Sequence, residues 1–222
     1  MKKIFLIILM YGFTQMTVEA QKIVEKHMNF SSGKSIDLDI QIADSIRIIT
    51  WNKNEVYAKM SVDINDNKGN DYYKVNFDES SSEISVSSKF DMPHGRNCCG
   101  DSADCHCNCN CRSRIYLDVY VPEKAAFRVK TINGSITITD RTGEIRAESI
   151  SGFIDLALPA TQKTDLRMNT VSGTMYSDFD FQSEGGRGRH VGGTSVESEL
   201  NGGGGTSVVL KTISGNIFLR KA

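Results

Sequence analysis

Between Phe127 and Leu219 the chain alternates apolar and polar residues with a period of two, and the alternation breaks in the same way four times. Phe127, Val129 and Thr131 fall on one side of an extended chain, Asn133-Gly134 interrupts it, and Ile136 and Ile138 share a side beyond. The template returns as Ile145, Ala147, Ser149 with Ile154, Leu156; as Leu166, Met168, Thr170 with Met175, Ser177, Phe179; and as Val208, Leu210, Thr212 with Ile217, Leu219. Period two marks a strand with one buried face, so each copy predicts strand, corner, strand. Every corner reads small hydroxyl, aliphatic, Asn or Ser, Gly, with the glycines at Gly134, Gly152, Gly173 and Gly215. A tight corner is expected to need positive φ there, which glycine adopts without a Cβ clash. Successive glycines are 18, 21 and 42 residues apart, the intervals of a repeat architecture.

Coils of roughly 20 residues, each lending one apolar row to a shared interior, predict an all-β fold. The expected form is a β-solenoid or β-roll of stacked short strands, because no single coil buries its own face. An antiparallel meander with Asn-Gly and Ser-Gly hairpin turns is the alternative. The constant hydroxyl before the corner aliphatic favours the stack, in which Thr131, Ser149, Thr170 and Thr212 form a ladder.

Upstream the pattern is strand-like but less regular. Ile36, Leu38, Ile40 and Ile42 alternate, then Ile46 and Ile48, then Val56, Ala58, Met60 and Val62, then Val75 and Phe77, and Ile84 and Val86. Trp51-Asn52-Lys53-Asn54 and Asn65–Asn70 read as turns between them. This region, residues 21–90, is expected to cap the stack or to form an irregular part of it. Trp51, the one tryptophan, sits beside a turn and reads as packing rather than as a ligand platform.

The first 20 residues stand apart. Lys2-Lys3, the apolar run Ile4–Met10 and Val18-Glu19-Ala20 before Gln21 form a basic region, a hydrophobic region and a small-residue cleavage site, the pattern of a signal peptide over residues 1–20. The apolar run is too short to span a bilayer, and no membrane span is expected after cleavage. Export to the periplasm, the cell surface or the exterior is the expectation. Residues 21–222 then form a single β-repeat domain. Without Lys2, Lys3 and Glu19, the 26 basic and 27 acidic residues become 24 and 26, a formal charge of −2. That balance gives no footprint for nucleic acid.

All six cysteines fall in Cys98–Cys111, inside a loop insertion at residues 91–114 that separates residues 21–90 from the repeats at 115–222. Three readings are open. In an exported chain, Cys98, Cys99, Cys105, Cys107, Cys109 and Cys111 are disulfide candidates, with 15 pairings that spacing does not resolve. The same thiolates with His94 and His106 are donors suited to zinc or copper, although the C-x-x-C knuckle of structural zinc sites is missing. A thiol-reactive loop is the third reading, and it too lacks C-x-x-C. No other cofactor is expected.

The glycine-rich runs at Ser183–His190 and Asn201–Gly205 do not match a phosphate-binding loop and read as corners or loops, with Glu199-Leu200-Asn201-Gly202 resembling a degenerate fifth repeat. Asp155, Asp178 and Asp180 are the carboxylates that a glycan-cleaving enzyme would need in pairs. They fall on outward positions, where any solvated sheet carries polar groups. With no nucleophile or metalloprotease motif elsewhere, no enzymatic activity is expected.

The repeats, together with SIRIITWNKNEVYAKMSV, VYVPEKAAFRVKTINGSITI and GGTSVESELNGGGGTSVVLKTISGNIFL, resemble the putative adhesin family of bacterial exported β-repeat proteins, a domain of unknown function. The resemblance spans Ser35 to Leu219. It implies a β-solenoid-like fold, an envelope location, and adhesion or scaffolding through an unidentified surface component, with no catalytic residues. The cysteine loop has no place in that pattern. A homo-oligomer is compatible with exposed ends of such a stack. The alternatives are an envelope zinc or copper protein and a glycan-active enzyme.

Overall fold

The computed structural model of the chain describes residues 21–91, 112–139, 143–180 and 194–222. The signal-peptide segment, His94, His106 and all six cysteines lie outside the described residues. Among the described residues fourteen strands form one mixed sheet, accompanied by a short 3-10 turn at Asn70–Tyr72. In chain order they are β1 (Lys22–Asn29), β2 (Ser35–Trp51), β3 (Glu55–Ile64), β4 (Tyr73–Glu79), β5 (Glu83–Phe90), β6 (Ser113–Pro122) and β7 (Phe127–Thr139). The repeat half continues with β8 (Ile145–Ser151), β9 (Ile154–Leu158), β10 (Thr164–Ser172), β11 (Met175–Ser177), β12 (Thr194–Leu200), β13 (Thr206–Ser214) and β14 (Ile217–Lys221).

The sheet is bent into two limbs, and β2 and β7 run through the bend and belong to both. The first limb runs β4, β5, β2, β7, β8, β13, β10, β12. The second runs β1, β3, β6, β2, β7, β9, β14, β11. Pairings inside each limb are parallel, and antiparallel strands flank them at β4, β12, β3 and β1. Away from the bend the limbs are joined by loops alone, so the sheet does not close. The repeats pair in parallel with one another, which excludes the meander of hairpins.

Alternation places the rows as expected. Ile36, Phe127, Ile145, Val208 and Leu166 lie side by side and buried, as do Leu38, Val129, Ala147, Leu210 and Met168 one step inward. Beyond the bend, Ile46, Ile136, Ile154 and Ile217 form the facing row. These rows meet in one core. Burying them is the main favourable term in folding, at about 25 cal/mol per Å² of apolar surface.

Thr131, Ser149, Thr212 and Thr170 also stand in register and are buried. The hydroxyls of Ser149, Thr170 and Thr212 answer backbone carbonyls that the corners turn inward, since buried carbonyls require a donor. The Ser149 hydroxyl donates to Gly134 O at 3.2 Å. The Thr212 hydroxyl lies 2.9 Å from Gly215 O and 2.8 Å from Thr170 Oγ1. Thr131 Oγ1 is buried with no partner.

The corner glycines are required for a reason other than the expected one. Gly152 and Gly215 have positive φ, 133° and 159°, but Gly134 and Gly173 do not. What all four share is backbone proximity. A Cβ at Gly134 would lie 2.4 Å from Ala43 O; at Gly152, 2.2 Å from Gly134 O; at Gly215, 2.0 Å from Gly152 O; and at Gly173, 2.0 Å from Gly215 O. Each corner glycine lies against the carbonyl of the neighbouring corner.

Upstream the chain takes the second of the two expected forms, an irregular part of the repeat array, and two other features differ from the sequence reading. β2 is itself a member of the stack, in parallel register with β7, and its corner at Ala43-Asp44 has a register shift in place of a glycine. Side chains build that corner. Asp44 Oδ2 accepts from Ile115 N–H at 2.7 Å, Gln41 Oε1 accepts from Phe90 N–H at 2.8 Å, and the Tyr73 hydroxyl lies 2.6 Å from Ile42 O and 2.7 Å from Ser88 Oγ. Burial pushes the Tyr73 phenol up to about 12. Spatial order also departs from chain order, because β13 and β14 insert between the pairs β8–β9 and β10–β11. The segment Glu199–Gly202 is not a fifth repeat. It leads into a turn with Asn201, Gly202, Gly203 and Gly204 at positive φ, and β12 pairs antiparallel with β10.

Gly134→Ala, at a position of ordinary φ, is expected to cost more than about 2 kcal/mol because of the contact with Ala43 O. Equilibrium urea unfolding reads this, and a neutral result would mean that corner glycines serve φ alone. Thr212→Val is expected to cost about 1–2 kcal/mol by stripping Gly215 O of a donor, whereas Thr131→Val, which removes an unpartnered hydroxyl, stays within about 0.5 kcal/mol. Equal losses for the two would remove the hydroxyl-to-corner bonds from the account.

Candidate functional site

Outward residues of the first limb also stack in rows, and one row lines a trough. Six residues before the corner glycine the repeats carry Arg128, Arg146, Arg167 and Val209, placed by the register in the order Arg128, Arg146, Val209, Arg167. Asp37 precedes them on β2 and Glu197 follows on β12. Two cavities lie along this row. One, of about 590 Å³, is lined by Asp37, Arg128, Glu144 and Arg146; the other, of about 910 Å³, by Asp165, Arg167, Glu197 and Glu199. Both include Ser207 and Val209 of β13, so they are halves of one trough crossing the strands. The small pair on β13 leaves the notch between Arg146 and Arg167.

The guanidinium groups are held in place by carboxylates. Arg128 reaches Asp37 at 2.7 and 3.3 Å, Arg146 reaches Glu148 at 2.7 Å, and Arg167 reaches Glu197 at 2.9 Å. The hydrogen bond to Asp37 raises the Arg128 pKa above its ordinary value. Asp165 Oδ1 accepts from Gly204 N–H at 2.8 Å, which ties the glycine-rich turn to the trough wall. The result is a polar surface on which each guanidinium stands beside a carboxylate.

The outer face of the second limb is different. Glu25, Lys59, Asp118 and Arg47 stand in register across β1, β3, β6 and β2 with alternating sign. Lys59 lies 2.9 Å from Glu25, and Arg47 Nε lies 2.6 Å from Asp118. The hydrogen bond between Lys59 and Glu25 holds the Glu25 carboxyl below its ordinary range and lifts Lys59 above its own. Beside them His27, Tyr57, Tyr120 and Trp51 are neighbours, with ring centroids 4.5, 5.7 and 5.3 Å apart in that order. Trp51 Nε1 donates to Glu55 O at 2.8 Å. Trp51 thus packs against Tyr120 and under the Lys53 ammonium, 4.5 Å from its ring, in keeping with its place beside a turn.

The three candidate carboxylates do not assemble into one site. Asp155 accepts from Arg220 Nε at 2.8 Å and Asp178 Oδ2 from Lys221 N–H at 3.3 Å, both on the second limb. Asp180 lines the trough on the other limb. The cysteine segment lies outside the described residues, but both its ends are placed. Asp91 N–H donates to Tyr72 O at 2.7 Å, and Arg112 exchanges bonds of 2.9 Å with Asn65. The segment therefore leaves the first limb after β5 and returns to the second at β6. Sequence reasoning passed over the trough arginines, although three of four repeats carry Arg at one offset, and that offset was the available signal.

No family model matches the chain, and no curated protein matches it. Among solved structures, a putative cell adhesion protein from Clostridium sporogenes shares 11% identity at a TM-score of 0.55, over 91% of this chain and 100% of that one. A putative adhesin from Parabacteroides merdae shares 8% identity at a TM-score of 0.28, over 70% of this chain and 62% of that one. A putative adhesin from Bacteroides fragilis shares 9% at 0.25, over 91% and 98%. The first of these shows a common fold. No helix among the described residues is long and apolar enough to cross a membrane.

Proposed function

We propose that the chain is an exported, non-enzymatic, adhesin-like scaffold whose stacked coils form a β-solenoid and whose trough holds an envelope or cell-surface component. The observation that carries this is the row of arginines at one repeat offset, aligned by the stack along a single continuous trough. The fold shared with the putative cell adhesion protein over that protein's whole length supports the same reading. So does the tethering of the trough's carboxylates: Glu197 is held by Arg167 and Asp165 by Gly204 N–H, an arrangement suited to holding a ligand rather than to shuttling protons.

Co-sedimentation of residues 21–222 with isolated bacterial envelopes tests it. Saturable binding is expected, reduced at least tenfold in Arg146→Ala/Arg167→Ala, with an unchanged circular dichroism spectrum. Binding that never saturates, or that the double variant leaves intact, sinks the proposal.

In the same reading the cysteine segment is a disulfide-locked projection. Intact mass with and without alkylation is expected to show six hydrogens missing and no added alkyl groups, from the six cysteines. Free thiols accompanied by stoichiometric zinc or copper would replace that with the metal-binding reading, in which His94 and His106 join the thiolates.

A further inference from the structure

The outward rows of the first limb differ in kind. Nearest the corners Ile132, Ile150, Ile213 and Val171 stand side by side as an aliphatic row, and the next row, Lys130, Glu148, Lys211 and Asn169, mixes signs. The trough lies beyond both, and its lining holds three arginines and seven carboxylates, a formal charge of −4. In one half Asp37, Glu83 and Glu144 stand with Arg128 and Arg146; in the other Asp165, Asp180, Glu197 and Glu199 stand with Arg167. The side chains of Arg128, Arg146 and Arg167 are 54, 48 and 58% exposed, so each guanidinium keeps contact with solvent beside its carboxylate. Arg128 gives two N–H groups to Asp37 and leaves the rest of its fork open to the trough.

We propose that the surface component held in this trough is a neutral polysaccharide, lying across the strands along the direction of stacking and bonded through its vicinal hydroxyls. This ligand class rests on the scaffold reading above, since the same trough serves both. The lining decides the charge. A polyanion would lie against seven carboxylates, and like charges opposed across an interface disfavour a partner strongly. A polycation would have to cross the arginines on β7, β8 and β10. A hydroxyl meets neither obstacle, because it both donates and accepts. Adjacent hydroxyls on a sugar ring can give O–H to a carboxylate and accept N–H from the guanidinium beside it, as the pairs Asp37–Arg128 and Glu197–Arg167 offer. These two pairs stand toward opposite ends of a trough that runs from β2 to β12. Six strands at a spacing of about 4.8 Å make it about 24 Å long, which suits a chain of repeated hydroxyls rather than one small molecule.

A peptide is a poorer fit. Protein interfaces depend on apolar anchors seated in pockets, and of the apolar side chains lining the trough only Ala126 and Val209 are not buried. Extended peptides also bind along sheet edges through backbone hydrogen bonds. The trough instead crosses the face of the sheet, where neighbouring strands already take up the backbone groups.

Co-sedimentation of residues 21–222 with bacterial envelopes in three states tests the ligand class: untreated, digested with proteinase, and oxidised with periodate, which cleaves vicinal diols, then reduced with borohydride. Saturable binding is expected to survive digestion and to fall at least fivefold after oxidation. It is expected to change less than threefold between about 50 and about 500 mM sodium chloride, a range that screens away an ion-paired ligand. Arg128→Ala, outside the pair varied above, is expected to remove most of the periodate-sensitive binding with the unfolding midpoint unchanged. Binding that oxidation leaves intact, that digestion abolishes, or that collapses with salt overturns the polysaccharide class, and so does periodate-sensitive binding that Arg128→Ala leaves intact. Untreated envelopes that fail to bind overturn the scaffold reading, and the ligand class with it.

Discussion

Backbone lies directly against backbone along the bend. From Ala43 through Gly134, Gly152 and Gly215 to Gly173, each corner sits on the carbonyl of its neighbour at a distance that leaves no room for a Cβ. The rest of the architecture follows from that approach. Corners this close fix the parallel register of both limbs at once, since a slip of one residue would set a side chain against a carbonyl and turn every apolar row outward. The tight corner also aims carbonyls inward, where Ser149, Thr170 and Thr212 supply hydroxyls to meet them. Hydroxyl and glycine are thus two halves of one device, which is why they recur together at a spacing of three residues.

Much of this was legible in the sequence, and the limits of legibility have physical causes. Inward rows could be read residue by residue because period two survives wherever one face is buried. The place of each glycine was legible but its reason was not, because a sequence does not show which backbone will lie opposite. β2 escaped notice as a repeat because its corner has no glycine. It is made by Asp44, Gln41 and Tyr73 reaching Ile115, Phe90, Ile42 and Ser88, contacts between segments far apart in the chain. Trp51 has the packing neighbours expected of it because a turn beside two strands offers it Tyr57 and Tyr120. The trough arginines were overlooked because a charged residue on an outward position is ordinary singly and informative only once the repeats are aligned.

The 42-residue gap before Gly215 equals twice the 21-residue interval before it but does not hold two successive repeats. After β11 the chain returns as β12 antiparallel to β10, turns at Asn201–Gly204, and sends β13 and β14 back between coils already laid down. The C-terminal strands therefore complete the core from within. Val208 and Leu210 fill rows whose members on either side, Ile145 and Ala147 or Leu166 and Met168, are contributed by segments far upstream. Such long-range closure is slow, since loop entropy must be lost before the contacts form. Antiparallel β12 shields the β10 edge in the finished molecule, which blunts strand addition there.

A stack of this kind separates the demands of folding from those of recognition. Folding constrains the inward rows, the hydroxyls and the glycines; it is nearly indifferent to what stands outward in each coil, provided that the residue tolerates a strand. The outward rows of the first limb are nevertheless patterned, with arginine at one offset, alternating charge at the next and aliphatic side chains at the third. Because strands are stacked in register, a residue repeated at one offset becomes a continuous line on the surface, and a change at one offset in one coil becomes a notch in that line, as Val209 does between Arg146 and Arg167. A repeat protein can thus write an extended binding surface with few kinds of residue, and the spatial order of coils decides how that surface reads. Here the late insertion of β13 puts both the notch and Lys211 at the centre of the face, a position that chain order would have assigned to its end.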